Sequence, residues 1–576
     1  MSVSDKISPQ LQQAMEEAAP GEKLPVILWA QDIDHEQIAR QVEIRTGLTI
    51  DNIQLDTKKD FNPNQLDMSF VETNDLAKAN EQVSIALEET KAIREQKRVL
   101  ADTYVAQKRS AYTAEYRSQN AKKLRALKVA EDDVVFQSEY SPLMVVNMSA
   151  EEIRKAARSS TILSLDLSQD AVVQDDSLAS SMQTIKADST ASVLTGSDVK
   201  VGQIELGIPN TSDSALGGRV TVLNGYDDSD VSLRPHATNV AKILHAMVTE
   251  AQIYSIGFGV HISLPEFCYD VEALLSQGVS VINMSAGLGR MNSGDYWYSV
   301  YEQWVDHISG THEVTFVKSA GNDGNGADIS IPGLAHNVIT VGVVDDKQTG
   351  AYLADDQLNE DSSSGNGDQD GCAKPDVLAP GTLEIENSSG YYCATSYATP
   401  FVAGLAAQMM YFDSSLKSRA RSVKAILSAC CDRKVPSTRG VVETMEEGLT
   451  AEQGAGVINA LRMYTILSQN KYMSGNFTSA DFKTQISLKS PCNVSATWIR
   501  ENGVSNHISG SVSVSAYQNL DLYLYSPTGQ QLDSCLNMSS TEMVYRNNPT
   551  PGVYTVQLYK RDGNTNRTIW FALAWY

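Results

Sequence analysis

Apolar and polar positions along this chain change their period twice, and the changes divide it into three stretches. In the first, the pattern predicts a strand at Leu24 to Trp29 and a helix opened by Asp34 and closed by Gly47. Asn74 to Leu127 is rich in Ala, Glu, Lys, Gln and Arg with almost no Gly or Pro, which predicts one or two long exposed helices, a solvated helical hairpin. Strands are expected at Asp133 to Glu139, Pro142 to Asn147 and Ile162 to Leu167. Ser149 and Glu152 form a capping box for a helix through Arg158. The order strand, helix, strand, strand, helix, strand describes a small open-faced α/β sandwich, and the Asp-, Ser- and Gln-rich run Ser168 to Ser180 reads as a linker.

The second stretch carries short, wholly apolar strands at Val199 to Ile204, Ala251 to Gly257, Val279 to Met284, Val314 to Ala320 and Val338 to Val343, with helical patterns between several of them. That alternation predicts an α/β fold with a parallel sheet covered on both faces by helices. In the third stretch, alternating strands at Ile508 to Ala516, Leu520 to Tyr525, Thr541 to Tyr545, Gly552 to Lys560 and Thr568 to Trp575 are split by turn sequences. They predict an antiparallel β-sandwich of about eight strands.

A chain of 576 residues is too long for one core. Its net charge of −24 argues against nucleic acid as a partner. No apolar run has membrane-spanning length, and Met1 to Pro20 lacks the basic start and apolar stretch of a secretory signal. The expectation is an intracellular protein unless an export signal has been removed, with no membrane partner. The seven cysteines are sparse and show no metal-ligand spacing. Cys492 and Cys535 can bridge, but free thiols are expected.

Candidate chemistry begins at Tyr391 to Met410. Pro400 is expected in a first helical turn, with small and apolar residues to Met410 continuing a buried helix, so that Ser396 stands at the helix start among free backbone N–H groups. Alone, such a serine is an ordinary cap. In a parallel sheet the reacting groups collect at the carboxyl ends of the strands, and three polar residues stand beside it there. Glu205 follows the first strand of the sheet, His236 opens a helix, and Asn322 follows the fourth strand in Lys-Ser-Ala-Gly-Asn-Asp-Gly. A serine hydroxyl becomes a nucleophile when an imidazole accepts its proton and a carboxylate orients that imidazole. An amide such as that of Asn322 can hold the oxyanion that follows.

These segments resemble the subtilisin-like serine peptidases, whose motifs are Asp-Thr/Ser-Gly, His-Gly-Thr-His-Val-Ala-Gly, Ala-Ala-Gly-Asn and Gly-Thr-Ser-Met-Ala-Thr-Pro. The likeness extends to Gln183 to Ala187, Val281 to Gly287, Asn337 to Gly342, Lys374 to Gly381 and Gly454 to Ala460. It implies catalytic Glu205, His236 and Ser396 with Asn322 at the oxyanion, and substrate contacts from Ser285, Ala286, Gly287, Ser319, Ala320 and Gly321, the first three pairing with substrate backbone as an added strand. Departures from the family pattern are Glu205 for aspartate, Ala237 and Ala394 for glycines, Asn239 for a second histidine and Tyr397 for methionine. The resemblance further implies residues 1–175 as a propeptide-like domain with a helical insertion at about 74–127, 176–468 as the catalytic domain and 469–576 as a jelly-roll or prepeptidase-like sandwich. Self-processing would cut near Val172 to Asp176, leaving the propeptide as an intramolecular inhibitor. The expected partners are a peptide or protein substrate and that propeptide. No cofactor is required, and although calcium sites are common in the family, no acidic loop here is specific enough to assign one. A pseudopeptidase that keeps its propeptide, and more distantly an ester hydrolase, are the competing readings.

Overall fold

The computed structural model describes residues 6–19, 21–49, 53, 76–168, 180–223, 234–259, 262–288, 298–324, 329–347, 349, 352–365, 374–384, 391–439, 442–488, 492–498, 519–536, 539–547, 549–561 and 568–576. The expected cut at Val172 to Asp176 and the expected strand at Ile508 to Ala516 lie outside them.

Four antiparallel strands build the N-terminal sheet: β1 (Lys23–Ala30), β2 (Val134–Gln137), β3 (Leu143–Ser149) and β4 (Ile162–Leu167), in the order β2-β3-β1-β4. The helix His35–Thr46 starts where the Asp34 side chain accepts from Gln37 N–H at 2.9 Å, and it stops at Gly47, whose φ of 69° favours glycine. The Ser149–Glu152 capping box starts the helix Ala150–Ala157. Strand β1 is apolar without alternation because both of its faces are covered. Val26 and Leu28 pack under the sheet's own helices with Ile153 and Ala156, whereas Ile27 and Trp29 share a core with Phe267, Val271 and Trp304 of the central unit.

The charge-rich run forms one helix, Leu76–Leu127, and not a solvated hairpin. Tyr104, Tyr112, Tyr116, Asn120 and Leu124 recur at multiples of four residues and are buried, which gives the helix a packed face that its overall charge conceals. Asn120 donates to the Ser138 and Ser141 carbonyls at 2.9 and 2.8 Å. Lys417 Nζ, in the central unit, bonds Asp102 of the helix at 3.0 Å.

The central sheet comprises β5 (Lys200–Leu206), β6 (Val220–Val222), β7 (Gln252–Phe258), β8 (Val281–Met284), β9 (Thr315–Ser319), β10 (Ile339–Asp345), β11 (Gln357–Leu358) and β12 (Val377–Pro380). Its order is β11-β10-β9-β8-β5-β7-β6, with β12 beside β10, and every pairing is parallel except β10 with β11. The five strands expected from sequence are present, and β6, β11 and β12 are short additions. A hairpin of β13 (Thr382–Glu384) and β14 (Tyr391–Cys393) leads into the buried helix Thr395–Phe412.

At the C-terminus β15 (Tyr472–Phe477), β16 (Asp481–Leu488), β17 (Cys492–Trp498), β18 (Leu520–Tyr525), β19 (Gln531–Cys535), β20 (Thr541–Arg546), β21 (Gly552–Lys560) and β22 (Ile569–Trp575) form two antiparallel sheets, β15-β22-β17-β20 and β16-β21-β18-β19. Asn493 ties the first of these to the central unit by donating to the Ala429 and Cys431 carbonyls at 3.0 and 2.6 Å. No disulfide joins Cys492 to Cys535.

The N-terminal unit meets the helix Val300–His312 through a network of imidazoles and phenols. Tyr116 Oη donates to Asp32 at 2.7 Å and contacts His35 Nε2 and His307 Nε2 at 2.6 and 2.9 Å, and His312 Nε2 donates to the Tyr140 carbonyl at 2.8 Å. Nearby, Trp304 Nε1 donates to Ser141 Oγ at 3.0 Å. Burial pulls His35 down to about 4 against the opposing carboxylates of Asp32 and Asp34 and with the help of His307 and Lys108, and it lowers His307 and His312 as well. An imidazole held below its unfolded pKa binds fewer protons folded than unfolded, so its contribution is complete at high pH and is lost as pH falls from about 6.5 through about 4. Glu272, which burial raises to about 8, works in the opposite direction, so a difference between variants isolates the histidine. Between pH 7 and pH 4 wild type loses on the order of 1–2 kcal/mol of stability relative to His35→Gln, read by urea unfolding. An unchanged difference refutes this account.

Candidate active site

Three strand ends, of β5, β8 and β9, and two helix starts meet at the carboxyl edge of the central sheet, as expected for a parallel sheet. Glu205 lies near the end of β5, and His236 is the third residue of the helix Arg234–Met247. Both side chains are wholly buried, with Glu205 Oε2 2.8 Å from His236 Nδ1. The other carboxylate oxygen accepts the Ser285 backbone N–H at 3.3 Å and lies 3.5 Å from Asn283 Nδ2. A carboxylate held on both oxygens keeps one orientation, and it fixes Nδ1 as the imidazole nitrogen facing the acid, leaving Nε2 for the other side. Gln203 anchors the helix start by donating from Nε2 to the Ala237 carbonyl at 2.8 Å.

Asn322 follows β9 after Gly321, whose φ of 114° disfavours any side chain. Asn322 Oδ1 accepts from Thr395 N–H at 2.9 Å and from Thr395 Oγ1 at 3.0 Å. Because a backbone N–H can only donate, the atom facing Thr395 is the amide oxygen, and the Nδ2 group is turned to the opposite side. Gly321 N–H in turn donates to Thr395 Oγ1 at 3.2 Å.

Ser396 is nearly buried and stands second in the helix Thr395–Phe412, in the first turn, whose N–H groups have no intrahelical acceptor. Pro400 is the sixth residue of this helix and not part of its first turn, a difference from the expectation. Lacking an N–H, it makes no helical bond to the Ser396 carbonyl four residues earlier. Ala394 has φ −141° and ψ 150°, ordinary extended backbone that an alanine adopts without strain. Tyr397 places its ring 5.5 Å from the His236 imidazole, so the Ser396 helix meets the Glu205–His236 pair through this neighbour.

The six expected substrate contacts fall on two segments. Ser285, Ala286 and Gly287 follow β8. Ser319 ends β9, followed by Ala320 and Gly321. Ala320 is bonded on both sides, its N–H to the Val341 carbonyl at 2.9 Å and its carbonyl to Ser330 N–H at 2.8 Å. Sequence reasoning missed Thr395, which orients Asn322, and Asn283, beside Glu205. Both lie within motifs that were legible, Ala-Thr-Ser and Val-Ile-Asn-Met-Ser, yet only the fold shows which neighbour each side chain serves.

The Ser396 and His236 helices cross where Gly404 meets Met247. A Cβ on Gly404 would lie 2.3 Å from Met247 Cβ. Gln408, one turn later, donates from Nε2 to the Met247 carbonyl at 2.8 Å. This crossing sets the distance between the two helix starts.

Residues 221–456 match a model of the subtilase family, a segment that holds His236, Asn322 and Ser396 while Glu205 precedes it. The minor extracellular protease Epr of Bacillus subtilis (strain 168) is 26% identical over 241 residues, 38% of this chain and 33% of that protein. Subtilisin-like protease 1 of Pseudogymnoascus destructans is 35% identical over 171 residues, 29% of this chain and 37% of that one. The chain spans about a third of the length of these curated relatives. Among solved structures, the prenylagaramide maturation protease PagA superposes with a TM-score of 0.38 at 20% identity, over 48% of this chain and 98% of that one.

Gly404→Ala tests the helix crossing. The added methyl forces the helices apart and costs roughly 1–3 kcal/mol or more, read as a lower urea midpoint. Unchanged stability would mean that the crossing does not set the separation.

Proposed function

Taking residues 221–456 as a subtilase-family domain, we propose that this chain is a serine endopeptidase that hydrolyses peptide bonds through an acyl-enzyme. Ser396 attacks the scissile carbonyl while His236 Nε2 accepts its proton and later passes it to the leaving amine. Glu205 keeps His236 in the required tautomer and stabilises the imidazolium. The observation that carries this reading is the 2.8 Å contact between Glu205 and His236, sealed from water, at the same sheet edge as the Ser396 helix start.

Asn322 holds the oxyanion with the first-turn N–H of Ser396. Support comes from its fixed orientation, because Thr395 restrains the oxygen end and the donor end needs no reorganisation when charge develops. Ser285 gives its N–H to Glu205, so the pairing of this segment with a substrate strand falls to the Ser285 carbonyl and to Gly287.

The N-terminal unit acts as an intramolecular inhibitor made in one chain with the enzyme and removed by it. A second reading, a pseudopeptidase that retains the unit as a permanent regulatory domain, draws support from the shared core of Ile27 and Trp29 with Phe267 and Trp304, whose separation would expose large apolar side chains. Intact-mass measurement of wild type and Ser396→Ala separates the two readings. Self-processing gives fragments of about 19 and about 44 kDa for a cut near Gln174 in wild type alone. A wild type that stays whole and takes no fluorophosphonate label overturns the peptidase reading. In active protein, Asn322→Ala lowers kcat by about 10²–10³, the magnitude measured on a subtilisin, with KM little changed. An unchanged kcat removes Asn322 from the mechanism.

A further inference from the structure

Lys318 is an ionisable side chain that the mechanism above leaves unused, although it lies four residues before Asn322 on β9. It is fully buried. Its Nζ donates to the Ser319 carbonyl at 2.5 Å, to Ser319 Oγ at 2.8 Å and to Ser330 Oγ at 2.8 Å, all neutral oxygens. Three other buried lysines each reach a carboxylate. Lys374 and Lys424 lie 2.7 and 2.9 Å from Asp376, and Lys417 lies 3.0 Å from Asp102. Among the described residues no carboxylate stands within ion-pair distance of Lys318.

The two acids whose charge reaches it have other work. Glu205 is committed to His236 and Ser285. Glu302 caps its own helix through the Ser299 N–H and accepts the Leu334 N–H at 3.3 Å. Burial lowers the Lys318 amine to about 7, so the ammonium form is costly there without a closer counter-charge.

Its location supplies the rest of the argument. Lys318 Nζ is 3.8 Å from the point where a Cβ on Gly287 would stand, and Ser330, which it holds, lies 2.8 Å from that same point. A Cβ on Gly321 would lie 3.5 Å from Ser330. The amine therefore lies beside Gly287 and, through Ser330, beside Gly321, one residue from each of the two segments that the serine-peptidase reading assigns to the substrate.

We propose that Lys318 determines specificity by selecting substrates with an acidic side chain, aspartate or glutamate, at the residue whose carbonyl Ser396 attacks. The substrate carboxylate supplies the counter-charge that the fold withholds and takes over hydrogen bonds now made by Ser319 and Ser330. A neutral side chain leaves the ammonium buried and unpaired, which is the strong form of discrimination open to a polar site. The proposal rests on the serine-peptidase reading, and the test keeps the two apart.

The measurement is kcat/KM of the full-length chain on peptides that differ only at that residue, with Asp, Glu, Gln, Leu or Lys, alongside fluorophosphonate labelling of the same preparation. Asp and Glu are expected to exceed Gln and Leu by about 10²-fold or more. Lys318→Met abolishes that ratio and raises cleavage after Leu. A protein that takes label yet cleaves after Leu as well as after Glu, or cleaves none of the panel, overturns the assignment of Lys318 while leaving the nucleophile intact. A protein that neither labels nor cleaves overturns the peptidase reading and the Lys318 assignment with it. The wild-type profile decides the matter even if Lys318→Met does not fold.

Discussion

Burial of the helix Thr395–Phe412 is the constraint on which the rest of the candidate site depends. The helix runs through the central core against Val341, Val343 and Leu378, so it has no freedom to slide or tilt. Its first residues are fixed as a consequence. Thr395 can then serve as a rigid partner for Asn322 and Gly321, and Ser396 is presented without a loop of its own. The same helix crosses the His236 helix at Gly404, where the absence of a side chain makes room for Met247. Two helix starts on separate segments are thereby held together by apolar packing, and the polar groups at the sheet edge have only to choose their orientations.

Orientation is set by hydrogen bonds of fixed polarity. The Ser285 N–H can only donate, which commits one Glu205 oxygen and leaves the other to His236. The Thr395 N–H likewise commits the oxygen of Asn322. In both cases a backbone donor removes an ambiguity that a side-chain partner would leave, because hydroxyls and amides can reverse their roles. Preorganisation of this kind needs no energy at the moment of reaction, and it explains why the site is assembled at strand ends where backbone N–H groups leave the ladder.

Much of this was legible in the sequence, and the misses have physical causes. The Ser149–Glu152 capping box, the Asp34 and Gly47 helix limits and the five apolar strands follow from local rules that tertiary packing did not override. The long helix departs from the expected solvated hairpin because charge over the whole run conceals one face, on which Tyr104, Tyr112 and Tyr116 are spaced to meet the rest of the fold. Pro400 stands a turn later in its helix than expected, because a proline signals where a helix can start and this helix starts sooner. Thr395 and Lys318 stand within legible motifs, but the role of each depends on a contact distant in sequence, Thr395 with Asn322 and Lys318 with Ser330.

The departures from the resembling motifs acquire meaning in this setting. Ala394 needs no left-handed backbone, so a methyl there costs no strain, and the tight contact falls instead on Gly381, where a Cβ would lie 2.4 Å from the Ala394 carbonyl. Glu205, one methylene longer than aspartate, lies within β5 and still reaches His236 at 2.8 Å. The strand end that carries it is drawn close to β7, where a Cβ on Gly257 would strike the Gly207 carbonyl at 2.3 Å. Tyr397 fills space against the imidazole with a flat ring tilted 32° to it, a larger side chain where the motif has a flexible one. At these three of the five departures, Ala394, Glu205 and Tyr397, the surrounding backbone or ring takes up the change. The departures therefore leave the Glu205–His236 contact intact and sealed from water, with Tyr397 packed beside the imidazole.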